Sequence, residues 1–262
     1  MNIQSLRSVT VNQSNENIFY DFIKDNFTEY FFFHVDYAQY PKNTEVYMAL
    51  DKKDKIQGIM LIWKGQRIQL RGSIKSLDLL LKDKSYAPLS ITGFANHKKI
   101  IAKYFPEHTK EIPLYRMAME RGDHVDFEKF PYENLSMAHK EEIASFMNVT
   151  DPVFWGDRRP EDILIDDNNF CFGIFQDGKL ISITLFWKYQ DVGYIIVVGT
   201  HPDYQNKGYA SSLVSSALKH LFQNKKQCLI TVRVNNPPAI HTYQKLGFTI
   251  RNAQYQYNKE NE

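Results

Sequence analysis

The apolar run Tyr194-Ile195-Ile196-Val197-Val198 leads through a polar turn, His201-Pro202-Asp203-Tyr204-Gln205-Asn206-Lys207-Gly208-Tyr209-Ala210, into helically spaced residues from Ser211 to Leu221. A short run dense in β-branched residues predicts a buried strand, and the spacing after it predicts a helix. This order of strand, tight turn and helix start suits an anion. The first N–H groups of a helix lack intrahelical partners and carry the positive end of its dipole. Gly208 and Ala210 keep side chains out of the way. A second strand, Leu229 to Val234, precedes Asn236-x-x-Ala239-x-x-x-Tyr243-x-x-x-Gly247-Phe248. Helical positions four apart share a face, so Ala239, Tyr243 and the end at Gly247 fall on one stripe that starts at Asn236. Read in isolation, Tyr243 also fits a packed core residue and Gly247 a simple helix C-cap.

The 262 residues suffice for two domains of about 130 residues each. The two halves look alike. Trp63-Lys64 and Trp187-Lys188 each end the second strand of a hairpin, at an offset of 187 − 63 = 124. Ile91-Thr92 and Ile230-Thr231 open matching strand-to-helix units that bring Tyr104 opposite Tyr243, at an offset of 230 − 91 = 139. The second half therefore carries 139 − 124 = 15 extra residues across the strand, turn and helix described above. A tandem duplication in which only one copy keeps the anion-binding turn accounts for this.

Elsewhere in the first half the pattern predicts a helix from Ile18 to Asp25, followed by an aromatic patch, Tyr30-Phe31-Phe32-Phe33-His34, read as core or an interface between halves. A hairpin is expected over Val46–Leu50 and Ile59–Lys64, with strands at Ile68–Leu70, Leu89–Thr92 and Leu114–Met119 and helices at Ser73–Lys82 and His97–Phe105. Arg121-Gly122-Asp123-His124 through Pro131 lacks periodicity, which sets domains of 1–121 and 122–262. The second half adds a helix (Met137–Met147), strands at Phe170–Phe175 and Leu180–Trp187 joined by Asp177-Gly178, and a last strand, Phe248–Tyr257. The fold class is α/β, an α+β mixed sheet.

A net charge of +2 argues against a nucleic-acid partner, and no apolar run is long enough to span a bilayer. Cys171 and Cys228 lie in apolar runs without metal-site spacing, so no metal and a reduced, cytoplasmic setting are expected.

The turn and the later helix, taken together, resemble the GNAT superfamily of N-acyltransferases. Its acyl-CoA site combines a strand, a Gln/Arg-x-x-Gly-x-Gly/Ala turn and an Asn-x-x-Ala-x-x-x-Tyr-x-x-x-Gly-Phe helix; the likeness covers Asn134 to Tyr257. The resemblance implies that the N–H groups of Asn206, Lys207, Gly208, Tyr209, Ala210 and Ser211 hold the coenzyme A pyrophosphate, with Gln205 also among the cofactor-binding residues. It further implies that Val198, Gly199 and Thr200 offer backbone groups to the pantetheine arm where central strands splay, that Asn236 contacts the cosubstrate, and that Tyr243 is the general acid for the leaving thiolate. The implied activity is acetyl (acyl) transfer from acetyl-CoA to a primary amine of a small molecule or protein, by direct attack and without a covalent enzyme intermediate. Two tandem GNAT-like halves, the N-terminal one degenerate, are also similar to glycine N-acyltransferase-like proteins, and the chain is expected to be a monomer or homodimer with one site.

One departure from the family stands out. Thr231 occupies a place where some relatives carry a Glu base, and His201 or Asp191 is left to relay the proton, with water as the simpler acceptor. A binding or regulatory module that holds coenzyme A without turnover therefore stays open as the alternative. The acceptor is expected under the loop Asn148 to Arg159, where Phe154, Trp155, Arg158 and Arg159 either hold a carboxylate-bearing or aromatic amine or anchor the loop and meet solvent.

Overall fold

A computed structural model describes residues 6–82, 84–151, 155 and 158–260. The chain divides into two compact units, Met1–Tyr115 with Asn252–Glu262, and Arg116–Arg251.

The first unit contains β1 (Arg7–Thr10), α1 (Glu16–Lys24), α2 (Phe27–Gln39), β2 (Thr44–Leu50), β3 (Ile56–Trp63), β4 (Arg67–Gly72), α3 (Ile74–Leu81), β5 (Ser90–Gly93) and α4 (Lys98–Tyr104), and it shares β6 (Lys110–Glu120) and the final strand with the second. β1 to β4 pair antiparallel in sequence order and β4 pairs parallel with β5. The aromatic patch lies within α2. Its Tyr30 and Phe33 are buried with Phe19 and Ile23 of α1 against Val46, Met48, Ile59 and Leu61, so its density supplies core. β4 reaches α3 through Ser73 alone, whose hydroxyl accepts from the Ser76 N–H at 3.2 Å and caps the helix from within the chain.

The second unit contains the end of β6, then β7 (Glu133–Leu135), α5 (Lys140–Thr150), β8 (Asn169–Gln176), β9 (Lys179–Tyr189), β10 (Val192–Thr200), α6 (Tyr209–Phe222), β11 (Gln227–Arg233), α7 (Pro237–Lys245) and the start of β12 (Thr249–Asn258). Its strand order is β7-β8-β9-β10-β11-β6. β7 to β10 pair antiparallel and β10 pairs parallel with β11. Asp177 and Gly178, with φ of 51° and 73°, turn β8 into β9 in the left-handed geometry that a two-residue hairpin of this twist requires. α6 buries Leu213, Val214, Ala217, Leu218 and Leu221, the stripe expected of its spacing. It lies so close to β10 that a Cβ on Gly193 would fall 2.6 Å from Leu221 Cδ1.

The last strand departs from the linear boundary drawn from sequence at 121/122, which assigns all of it to the second half. Its residues from Asn252 onward belong to the first unit, where Tyr255 to Asn258 pair with β5. The reason lies in two side chains. Tyr257 is buried in the core formed around Leu70, Leu80 and Ile91, and the Gln254 side-chain oxygen accepts from the guanidinium of fully buried Arg71 at 2.9 Å. That hydrogen bond, the Glu29 carboxylate 3.7 Å from Arg71 Nε and the face of Phe94, 4.7 Å from the Arg71 Cζ, compensate the burial of a cation.

Candidate functional site

β10 and β11 are registered over four pairs, Val192↔Gln227 through Ile195↔Ile230, and the ladder then stops. On its other edge β10 stays paired with β9 through Thr200↔Ser182, with a bulge between Ile195 and Val197 that turns Ile196 outward to 45% exposure. The two parallel strands therefore part. The opening is a cleft of about 180 Å³ lined by Val198, Gly199 and Thr200 on one strand and Ile230, Thr231, Val232 and Arg233 on the other, with Thr150, Asp151 and Trp155 from the end of α5 and beyond, and Gln205, Asn236 and Tyr243. Past Ile195 the edge of β10 that faces β11 has no ladder partner, so its backbone groups are available to a molecule in the cleft.

After Thr200 the chain makes a single turn, Pro202–Tyr204, and the Gln205 side-chain amide donates back to the Thr200 carbonyl at 3.3 Å. Asn206 and Gly208 follow with φ of 63° and 91°. Gly208 is the left-handed N-cap of α6, and no side-chain hydrogen bond caps that helix start. The first turn closes with the Ser212 N–H on the Gly208 carbonyl at 3.0 Å. The N–H groups of Gly208, Tyr209, Ala210 and Ser211 thus precede the intrahelical ladder. Glycine is needed at 208 mainly for its φ. A Cβ there would also sit 3.3 Å from Phe127 Cε1. Buried serines of α6 hold that neighbouring segment: Ser212 Oγ accepts from the N–H groups of Lys129 (3.0 Å) and Phe130 (3.1 Å), and Ser215 Oγ from that of Phe127 (2.8 Å). Gln205 reaches the cleft, whereas residues 206–211 form the turn beyond it.

Asn236 caps α7, its side-chain oxygen accepting from the Ala239 N–H at 3.3 Å, and Pro237 and Pro238 begin the helix where their missing donors cost nothing. One turn further on, Tyr243 is 6% exposed yet lines the cleft. Burial pushes its phenol well above the usual range, so it holds its proton at neutral pH. The Thr231 hydroxyl is engaged with the Tyr194 hydroxyl at 2.7 Å.

The carboxylate that lines the cleft is one that sequence reasoning passed over. Asp151, the C-cap of α5, forms an ion pair with Arg233 at the end of β11. Neither of the two relays suggested from sequence reaches the cleft. Asp191 sits at the opposite end of β10, paired with Lys226 at 2.6 Å, and His201 accepts from the Asp203 N–H at 3.4 Å outside the lining. Arg158 exchanges backbone hydrogen bonds with the Asn148 side chain and exposed Arg159 lies 3.7 Å from Asp162, so neither of the arginines proposed for the acceptor is a lining residue. Trp155 is a lining residue, and Phe154 lies outside the described residues. Among the described residues no cluster of three His, Cys, Asp or Glu side chains has metal-binding geometry, and both cysteines are free and buried. No helix among them is long and apolar enough to cross a membrane.

The sequence model of the acetyltransferase (GNAT) family matches residues 137–248, which hold the parted strands, the turn and α7. These residues are a GNAT acetyltransferase domain. Over 67 residues the chain is 40% identical to the mycothiol acetyltransferase of Saccharomonospora viridis, a match covering 25% of this chain and 22% of that protein. The chain thus spans about a fifth of the length of that relative. Among solved structures it is similar to a GCN5-related N-acetyltransferase from Sphaerobacter thermophilus, with a TM-score of 0.68 at 11% identity over 97% of this chain and 95% of that one. A tandem GNAT protein from the clavulanic acid biosynthesis pathway gives a TM-score of 0.59 at 10% identity over 97% and 98%. At such identities the likeness is one of fold. The fold is a mixed α/β tandem of GNAT-like units, and the GNAT family model matches the C-terminal half.

Proposed function

We propose that the chain is an acyl-CoA-dependent N-acyltransferase that moves the acetyl group of acetyl-CoA onto a primary amine of a small molecule or protein. The observation that carries this reading is the parting of β10 and β11 after Ile195↔Ile230, with the uncapped start of α6 beyond one wall and the protonated Tyr243 phenol in the other. The pyrophosphate of the cosubstrate is assigned to Asn206 through Ser211, where the N–H groups of Gly208 to Ser211 precede the α6 ladder and the left-handed Gly208 leaves no side chain in the way. Gln205, also on this turn, reaches the cleft. Val198 and Thr200 offer strand-edge groups to the pantetheine arm, Gly199, whose carbonyl accepts from the Ser182 hydroxyl on the β9 side, lines the cleft between them, and Asn236 borders it. No catalytic metal enters this reading.

The chemistry asks little of covalent catalysis. The amine attacks the thioester carbonyl, a C–N bond forms, the C–S bond breaks, and the departing thiolate takes a proton from Tyr243 while the amine's proton leaves by water. Backbone donors along β10 stabilise the oxyanion, and holding amine and thioester together supplies an effective molarity of roughly 10⁵ M or more. The identities of the relatives, among them the mycothiol acetyltransferase, support transfer to a small-molecule amine.

The test is release of free coenzyme A from acetyl-CoA across a panel of amino acids, polyamines and peptide amines. Tyr243→Phe is expected to lower kcat by about 10²-fold or more with unchanged coenzyme affinity. Full activity of that variant at every pH removes the acid role, and coenzyme binding with no release for any amine favours a module without turnover.

A further inference from the structure

Among the described residues, the cleft is lined by one negative and one positive side chain, and they come from different elements. Asp151 caps the C-terminus of α5, and Arg233 ends β11; each side chain is about a quarter exposed (28% and 26%), and they meet as an ion pair. They are 82 residues apart in sequence, and the end of α5 meeting the end of β11 brings them together. A partly buried pair of this kind is a poor source of stability, because desolvation offsets the attraction, but it is a ready exchange partner. A ligand with one cationic and one anionic group exchanges the Asp151–Arg233 pair for one pair with each residue and leaves the net charge of the cleft unchanged. A polycation leaves Arg233 facing like charge, and a bare anion does the same to Asp151. The planar guanidinium matches a carboxylate with two parallel hydrogen bonds, which a lone ammonium cannot use.

Building on the transferase reading, we infer that the acceptor is a zwitterionic amino acid, whose ammonium is received by Asp151 and gives up one proton to water before the neutral amine attacks, and whose carboxylate is clamped by Arg233. Trp155, the aromatic lining residue beside Asp151, sets an apolar surface for the acceptor's side chain. Asp151 and Arg233 are thus specificity residues that position the amine, while Tyr243 keeps its role at the sulfur.

The experiment compares each amino acid with the amine it becomes on losing its carboxylate: alanine with ethylamine and phenylalanine with phenethylamine, with spermidine as a polycation. The full chain is assayed for coenzyme A release, and acetyl-CoA affinity is measured by calorimetry in parallel. The wild-type chain is expected to favour the amino acid of each pair by at least tenfold in kcat/KM. In Arg233→Gln that ratio collapses through KM, with acetyl-CoA affinity unchanged, and Arg233→Lys recovers part of it because charge is kept and the fork is lost. Asp151→Asn raises KM for both members of a pair. If Arg233→Gln is poorly folded, the double variant Asp151→Asn/Arg233→Gln, which removes both charges of the pair, and Arg233→Lys give the same comparison. Release with ethylamine, phenethylamine or spermidine as efficient as with the amino acids, or a ratio unmoved by Arg233→Gln, overturns the zwitterion assignment alone. No release with any amine overturns the transferase reading beneath it.

Discussion

Replacing Gly208 by Ala separates what the turn does for the fold from what it does for the ligand. Gly208 has φ 91°, and an alanine held in a left-handed conformation costs roughly 1–2 kcal/mol. The new Cβ lies 3.3 Å from Phe127 Cε1, close enough to require a shift of a few tenths of an ångström. The loss in unfolding free energy is therefore expected to be about 2 kcal/mol. Gly178→Ala is the control within the same unit. Its φ is 73°, and nothing lies within 4 Å of the added Cβ, so it costs about 1–2 kcal/mol through backbone strain alone. Gly178 turns the β8–β9 hairpin and is neither in the turn before α6 nor in the cleft lining, although Gln176 at the end of β8 accepts from the Tyr209 hydroxyl at 3.4 Å. Both variants are compared by urea unfolding and by calorimetric titration with coenzyme A. In Gly208→Ala the first N–H groups of α6 are re-aimed. Loss of one hydrogen bond to a charged phosphate, about 1.5–3 kcal/mol, weakens coenzyme binding by roughly 10- to 150-fold. Gly178→Ala leaves that affinity at the wild-type value. Equal coenzyme affinity in the two variants, with similar losses of stability, refutes the claim that the helix start holds the phosphates.

Two further perturbations test the frame around the site. Burial raises the Asp36 carboxyl in α2 to about 7, with Arg67 pulling the other way, so between the unfolded value of 3.8 and about 7 the folded chain binds more protons than the unfolded one. Stability from this group accordingly falls as pH rises through that window, and Asp36→Asn is expected to gain on the order of 1–2 kcal/mol at pH 8 and nothing near pH 3.5, read from urea midpoints; a gain independent of pH contradicts the reasoning. Gly193→Ala drives a methyl to 2.6 Å from Leu221 Cδ1, so the buried Leu221 side chain must repack or α6 shift, at a cost of about 1–3 kcal/mol, and a melting temperature unchanged to within a degree contradicts that packing.

What was legible in the chain follows from how local its causes are. The hairpins, the β10–α6 and β11–α7 units and the α2 core rest on β-branched runs, a left-handed Asp177-Gly178 turn and helical spacing, all carried within a dozen or so residues. The GNAT character of the second half rests on two such local patterns. β1 and β7 escaped because Arg7–Thr10 and Glu133–Leu135 are short and mostly polar, and each terminates its row of strands. The split of β12 depends on Gln254 meeting Arg71, 183 positions away, and the Asp151–Arg233 pair depends on the end of α5 meeting the end of β11; neither leaves a periodic trace. Proton relays at His201 and Asp191 were plausible from adjacency in sequence, but Asp191 lies a strand's length from the cleft and His201 turns to its own loop. The first unit's lack of an anion turn, by contrast, was visible as the 15-residue deficit and appears in the fold as Ser73 capping α3 by itself.

The central claim is that a single acyl-CoA site exists per chain and that it is built on the turn before α6. Calorimetric titration of the full chain with coenzyme A tests it most directly, with Gly208→Glu titrated alongside. One coenzyme per chain is expected, and no measurable binding to a folded Gly208→Glu variant, since the carboxylate places bulk and like charge at the phosphates. Two coenzymes per chain, or undiminished binding by the variant, would contradict it.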